Sequence, residues 1–188
     1  METSLHYGLA EKQLSFKLRE KITAAPGVEL KGNGMFNTIT GKLGYTGTLK
    51  ACARLGADDK DSGSSPLTIG LGAFAAAQDT KAPPAPQLHL SVKKGLSVFD
   101  GPRTVITGKA FANYDPMVAK VTARKAVIKL SHKWMGFTQR QDLKLSVGMD
   151  VDWPLTAKEP VVTPFAQLRE NNWALNYRRD KMYVTYDL

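Results

Sequence analysis

Hydropathy in this chain alternates with a period of two along almost its whole length, and no other feature restricts the fold so strongly. In "KLGYTGTLKACARLGAD" (42–58), Leu43, Tyr45, Leu49, Ala51, Ala53 and Leu55 fall on odd positions with Gly47 among them. Thr46, Thr48, Lys50, Cys52 and Arg54 fall on even ones. An extended strand sends these two sets to opposite faces. The pattern recurs in "KQLSFKLREKI" (12–22), "GVELKGN" (27–33), "PLTIGLGAFAAAQ" (66–78), "QLHLSVKK" (87–94) and "KAVIKLSHKW" (125–134). It is cleanest in "DLKLSVGMDVDW" (142–153), where Leu143, Leu145, Val147, Met149, Val151 and Trp153 oppose Lys144, Ser146, Gly148, Asp150 and Asp152. The chain closes on "MYVTYDL" with Met182, Val184, Tyr186 and Leu188 on one face.

Turn signals separate these runs: "AAPG", "ADDKDSGSSP", "DTKAPPAP", "FDGP" and "YRRDK". The longest breaks, 56–66 and 79–86, carry Pro, Gly and Asp in amounts that read as loop. No segment shows a helical period over ten or more residues. The expectation is an all-β fold of ten to twelve antiparallel strands, about twelve, in a single domain spanning 1–188.

Alternation alone does not say which face looks inward. An inward apolar face gives a soluble sandwich or barrel with a charged skin. An outward one gives a barrel in lipid whose charges line a hole. No stretch approaches about 18 consecutive apolar residues, which excludes a transmembrane helix but not a membrane barrel. The start "METSLHYGLAEK" has the character of neither a signal peptide nor an Arg-rich transit peptide.

The charge balance points to an anionic partner. Lys and Arg number 26 against 17 acidic residues, a net of +9 with a sequence pI near 9.6. Such a surplus suits nucleic acid, anionic headgroups or small phosphorylated solutes. On the polar face stand Lys17, Arg19, Lys21, Lys31, Lys50, Arg54, Lys93, Arg103, Lys109, Lys129, Lys133, Lys144 and Arg178. The acids sharing it are mainly Glu29, Asp150, Asp152 and Asp187.

Motifs for catalysis or cofactors do not emerge. "GMFNTITGK" (34–42) and "GPRTVITGK" (101–109) end in Gly-Lys, but six residues separate their glycines where a phosphate-binding loop needs four. His6, His89 and His132 lie on well-separated strands without ligand spacing, and the single Cys52 excludes an internal disulfide or a cysteine-based zinc site. Asp150 and Asp152 share a strand face and read as solvated or lysine-paired carboxylates rather than an acid–base pair. No cofactor is expected, and nothing argues for an enzyme.

Three features favour lipid. Strands begin at residue 3 and run to Leu188, so both terminal strands can close a barrel. Aromatics gather at strand ends, among them Tyr7, Tyr45, Tyr114, Trp134, Trp153, Trp173, Tyr177 and Tyr186, as interfacial girdles require. The apolar face is often small, with "GAFAAA", Ala51 and Ala53, which would fill a soluble core poorly.

"METSLHYG" (1–8), "RENNWALN" (169–176) and the closing "YDL" (186–188) resemble the plastid outer envelope pore protein 21 family. The resemblance implies a plant β-barrel forming a rectifying, anion-selective channel in the chloroplast outer membrane, with the etioplast membrane as a further location. It also implies passage of triose phosphates, 3-phosphoglycerate and inorganic phosphate, modulated by ATP and triose phosphate. Arg19, Lys21 and Arg169 match basic positions of the family; the other lumen residues rest on alternation. The partners implied are membrane lipid and phosphorylated anions, not nucleic acid, with homo-oligomerisation left open. A soluble basic barrel for single-stranded nucleic acid competes, since it also explains charge and aromatics. Here, though, the aromatics mostly share the face of the leucines. A lipocalin-like ligand barrel would want an apolar interior and a polar exterior of mixed sign.

Overall fold

A computed structural model describes residues 2–25, 27–56, 64–78, 85–98, 103–138, 141–155 and 159–188. The alternating runs become twelve strands: β1 (Glu2–Gly8), β2 (Gln13–Ala25), β3 (Val28–Asn37), β4 (Leu43–Leu55), β5 (Ser65–Gln78), β6 (Gln87–Ser97), β7 (Thr104–Asp115), β8 (Lys120–Thr138), β9 (Gln141–Asp152), β10 (Val161–Glu170), β11 (Trp173–Arg178) and β12 (Lys181–Asp187). Each pairs antiparallel with its neighbours in sequence, and β1 pairs with β12 to close the barrel. Closure leaves no open edge strand among the described residues, so ladder donors and acceptors are met within the wall except where the register slips, at Thr23/Ala25, Ser65/Thr68, Asn113/Tyr114 and Trp134/Thr138.

Tight connections set the register. Arg179 and Asp180, at φ 52° and 58°, form the two-residue link between β11 and β12. Two consecutive positive φ values are what a mirror-image hairpin turn needs to match the right-handed twist of its strands. The turn is therefore shorter than "YRRDK" suggests, because Tyr177 and Arg178 complete β11 and Lys181 begins β12. The expected break at 56–66 also ends early. Ser65 and Pro66 belong to β5, and the pairing with β6 slips between Ser65 and Thr68, around a proline that cannot donate to the ladder. Most of the two long expected loops, and all of "FDGP", lies outside the described residues. Of the Gly-Lys stretches, 34–37 ends β3 while 38–42 forms the turn into β4, and 104–109 lies inside β7.

The barrel is polar within and apolar without. Among the described residues the buried hydrophobics are Ala77 and Ala174 alone, whereas Ser15, His89, Ser91, Asn113, Ser131, Ser146 and Asn176 are buried. Leu49, Leu71, Leu90, Ile128, Val147, Met149 and Leu168 are exposed. A water-soluble fold would reverse this distribution. In hydrocarbon it is the stable one, because outward leucines and valines lie against acyl chains at no desolvation cost.

Aromatic residues mark the two rims. Trp134, Trp173 and Tyr186 sit toward the end that carries both termini, with the Trp173 and Tyr186 rings 4.7 Å apart. Tyr7, Tyr45, Tyr114 and Tyr177 sit toward the opposite end, and Trp153 follows β9 there. Two girdles separated by an aliphatic band match the two interfaces of a bilayer.

Candidate functional site

Side chains on strands two apart can meet only on the concave side of a curved sheet, and such contacts identify the lumen. Arg178 of β11 pairs with Asp150 of β9 past β10, and Arg169 of β10 pairs with Asp187 of β12 past β11. Lys50 of β4 donates from Nζ to Ser91 Oγ of β6, 3.3 Å away, past β5. From these anchors the ladder registers carry the inward parity around the wall.

Twelve of the thirteen basic residues picked out by alternation take that parity: Lys17, Arg19 and Lys21 on β2, Lys31 on β3, Lys50 and Arg54 on β4, Lys93 on β6, Lys109 on β7, Lys129 and Lys133 on β8, Lys144 on β9 and Arg178 on β11. Arg103 is the exception, standing in the turn ahead of β7, where its carbonyl accepts from the Lys133 N–H. The local reason is plain: a strand that begins at Thr104 leaves Arg103 no ladder position to fix its face. Arg169 is inward as well, and so are Lys125, which pairs with Asp152 at 2.9 Å, and Lys181, which pairs with Glu11. Lys125 could have been found from sequence, since it shares the parity of Lys129.

The lumen cations fall into two groups. Arg19 lies 3.9 Å from Glu2, Lys133 lies 2.6 Å from Asp142, and Arg178 pairs with Asp150. Glu29 receives three lysines: Lys21 at 3.1 Å, Lys31 at 2.9 Å and Lys50 at 3.8 Å. By contrast, among the described residues Lys17, Arg54, Lys93, Lys109, Lys129 and Lys144 have no carboxylate within ion-pair distance. Lys93 stands directly opposite Lys109, and Lys133 directly opposite Lys144. Like charges so placed repel, and Asp142 offsets that repulsion at Lys133 alone of the four. Each strand from β6 to β9 thus presents one lysine without a carboxylate partner among the described residues, while in the β2–β4 wall Lys21, Lys31 and Lys50 gather on one carboxylate beside the unpaired Lys17 and Arg54.

Sequence polarity did not reveal the inward aromatics. Phe74, Phe111, Phe165 and Tyr183 share the lumen parity. His89 lies between Phe74 and Phe111, with ring centroids 6.2 and 5.6 Å away, and Nδ1 of His89 is 2.7 Å from Asn113 Oδ1. Lys109 lies 5.6 Å over the Phe111 ring and Arg178 lies 5.9 Å over that of Phe165. Such contacts hold a cation in place without neutralising it. His6 is also inward, whereas His132 faces outward beside Trp134 and 2.6 Å from the Thr104 hydroxyl, so the three histidines do not converge. No group of three or more metal-ligating side chains occurs among the described residues.

Compared with known families, the chain matches the one described as "Chloroplast outer envelope pore protein OEP21" over residues 3–188. No curated protein matches its sequence. Among solved structures, one described as "KdgM porin" superimposes with a TM-score of 0.62 at 8% identity, covering 100% of this chain and 96% of that one. At that identity the likeness shows a shared closed-barrel fold and no more.

Proposed function

The chain belongs to the chloroplast outer envelope pore protein OEP21 family, and from that premise we propose that its barrel is an anion-selective channel for phosphorylated metabolites. Triose phosphate, 3-phosphoglycerate and inorganic phosphate are the permeant class, and ATP modulates the current. The family is that of an outer-envelope pore, and the closed barrel fits such a pore. The observation that carries the ionic preference is the run of uncompensated lysines, Lys93, Lys109, Lys129 and Lys144, on four consecutive strands of the lumen wall.

Twelve strands leave an interior wider than that of an eight-stranded barrel, which side chains fill, and narrower than that of a large porin. Within it, lysines on a low-dielectric wall raise the local concentration of anions and exclude cations. Each ammonium is a compact point charge on a flexible stem, so it holds a phosphate oxygen without demanding one geometry. Several weak contacts in series allow entry and release. ATP carries more negative charge and is larger, so it dwells longer in the same field and obstructs it.

The test is single-channel recording in potassium chloride with ATP added to one chamber. The proposal expects open-channel current to fall with ATP and to recover partly when triose phosphate competes. Current indifferent to ATP contradicts it.

A further inference from the structure

Among the described residues Glu29 is the one lumen carboxylate that serves three cations, and its surroundings are built rather than incidental. Its oxygens meet Lys21 Nζ at 3.1 Å from one strand, Lys31 Nζ at 2.9 Å on its own strand and Lys50 Nζ at 3.8 Å from the next. The Glu29 and Lys50 side chains are only 15% and 12% exposed, whereas both partners of the Lys133–Asp142 and Arg169–Asp187 pairs are about two-fifths exposed. Lys50 is held from its far side too. Its Nζ donates to Ser91 Oγ at 3.3 Å, and that hydroxyl donates to the Gly70 carbonyl at 3.4 Å. A Cβ on Gly70 would lie 3.0 Å from Lys50 Cδ, so the missing side chain is what lets the lysine stem lie along the β5 wall.

We propose that Lys21, Lys31 and Lys50 form an anion site whose resting occupant is the Glu29 carboxylate, and that a phosphate or phosphate-ester dianion competes with Glu29 for it. Three ammonium groups against one carboxylate leave the cradle cationic even when Glu29 is seated. A dianion offers more charge and more acceptor oxygens to the same three donors, each contact being charge-assisted. When it binds, Glu29 swings into the aqueous lumen; when it leaves, Glu29 returns and keeps three like charges from repelling one another. The carboxylate therefore weakens this site's hold on anions, which suits a pore that must release what it admits. The inference rests on the anion-channel reading but makes a separate demand: removing an acid here must strengthen anion binding more than removing an acid elsewhere in the lumen.

The experiment is channel recording with inorganic pyrophosphate as the blocking probe, comparing wild type with Glu29→Gln, Asp152→Asn and Lys50→Gln. Asp152→Asn makes the same change in net charge but frees only Lys125. Glu29→Gln is expected to lower the half-blocking pyrophosphate concentration about three- to tenfold, Asp152→Asn much less, and Lys50→Gln is expected to raise it. An unchanged or higher half-blocking concentration in Glu29→Gln overturns the inference. So does an equal shift in Asp152→Asn, which would make the effect one of general charge. If Glu29→Gln does not form a heat-modifiable barrel, Lys50→Gln decides: block no weaker than in Lys125→Gln overturns the proposal. A wild-type channel that prefers cations would instead defeat the anion-channel reading itself, and the reversal potential reports that independently of block.

Discussion

Lys93 on β6 and Lys109 on β7 stand directly opposite one another in the lumen, with no carboxylate within ion-pair distance of either among the described residues. A cross-strand pair of like charges weakens the wall that carries it. Replacing both with Gln is therefore expected to lower anion preference while the barrel forms at least as readily as before. Lys125→Gln, where Asp152 already lies 2.9 Å away, should change selectivity less. Reversal potentials and heat-modifiable electrophoretic mobility measure the two effects separately. Full selectivity in the double variant would show that these lysines do not set the field.

The outward leucine face carries a second expectation. Leu145 and Val147 face out while Lys144 between Leu143 and Leu145 faces in. An Arg in place of Leu145 or Val147 near the bilayer midplane should cost about 2–4 kcal/mol of folding free energy, measured by urea titration in lipid vesicles. Lys144→Gln should leave folding nearly unchanged. The opposite ranking would turn the barrel inside out.

These faces were legible in the sequence because the period of two is a property of single strands. In "DLKLSVGMDVDW" every residue's side follows from its parity once one side is known. The rim aromatics, the small apolar face and the terminal strands favour lipid on the apolar side, and the resemblance carried by the terminal motifs decides it. Features that depend on register between strands were not legible. Nothing local in "GVELKGN" says that Glu29 gathers Lys21 from β2 and Lys50 from β4, because that needs the pairings Thr23↔Glu29 and Glu29↔Lys50. The inward Phe74, Phe111 and Phe165 were hidden for a related reason. A lumen tolerates apolar rings when cations and a histidine pack on them, and hydropathy alone assigns such rings to lipid. Parity does not fix a face for Arg103, which stands one residue outside its strand.

Glycines on the inward face of the wall give a third prediction. A Cβ on Gly148 would run into the Ile128 carbonyl oxygen and lie 2.7 Å from the Phe165 ring, and one on Gly72 would run into the Leu49 carbonyl oxygen. The Phe165 ring covers the bare backbone at Gly148, and backbone rather than a flexible side chain blocks growth at both sites. Gly72→Ala and Gly148→Ala should each destabilise the barrel by about 1–3 kcal/mol, seen as a lower midpoint in urea. Gly32→Ala, where nothing lies within 4 Å of an added Cβ, should change it little. Equal midpoints for all three would mean that the wall is looser than its geometry indicates.

The Arg169–Asp187 pair gives a fourth. It bridges β10 to β12 beside the β1–β12 seam, and both side chains are two-fifths exposed. Ladder hydrogen bonds along the seam, from Ser4↔Asp187 to Gly8↔Tyr183, do most of the closing. Asp187→Asn should therefore cost no more than about 1 kcal/mol and leave closure intact. Loss of the heat-modifiable form in this variant would make the ion pair essential to closure and refute that ranking.

The central claim, that uncompensated lysines in the lumen make this barrel select anions, is tested most directly by the reversal potential of the purified protein in a planar bilayer under a potassium chloride gradient. The measurement is repeated at several mean ionic strengths. The lysines act through a screened field whose range shrinks from about 10 Å at 0.1 M salt to about 3 Å at 1 M. The account predicts an anion-preferring potential that declines toward zero selectivity as salt rises. A cation-preferring potential, or an anion preference indifferent to salt, would contradict it.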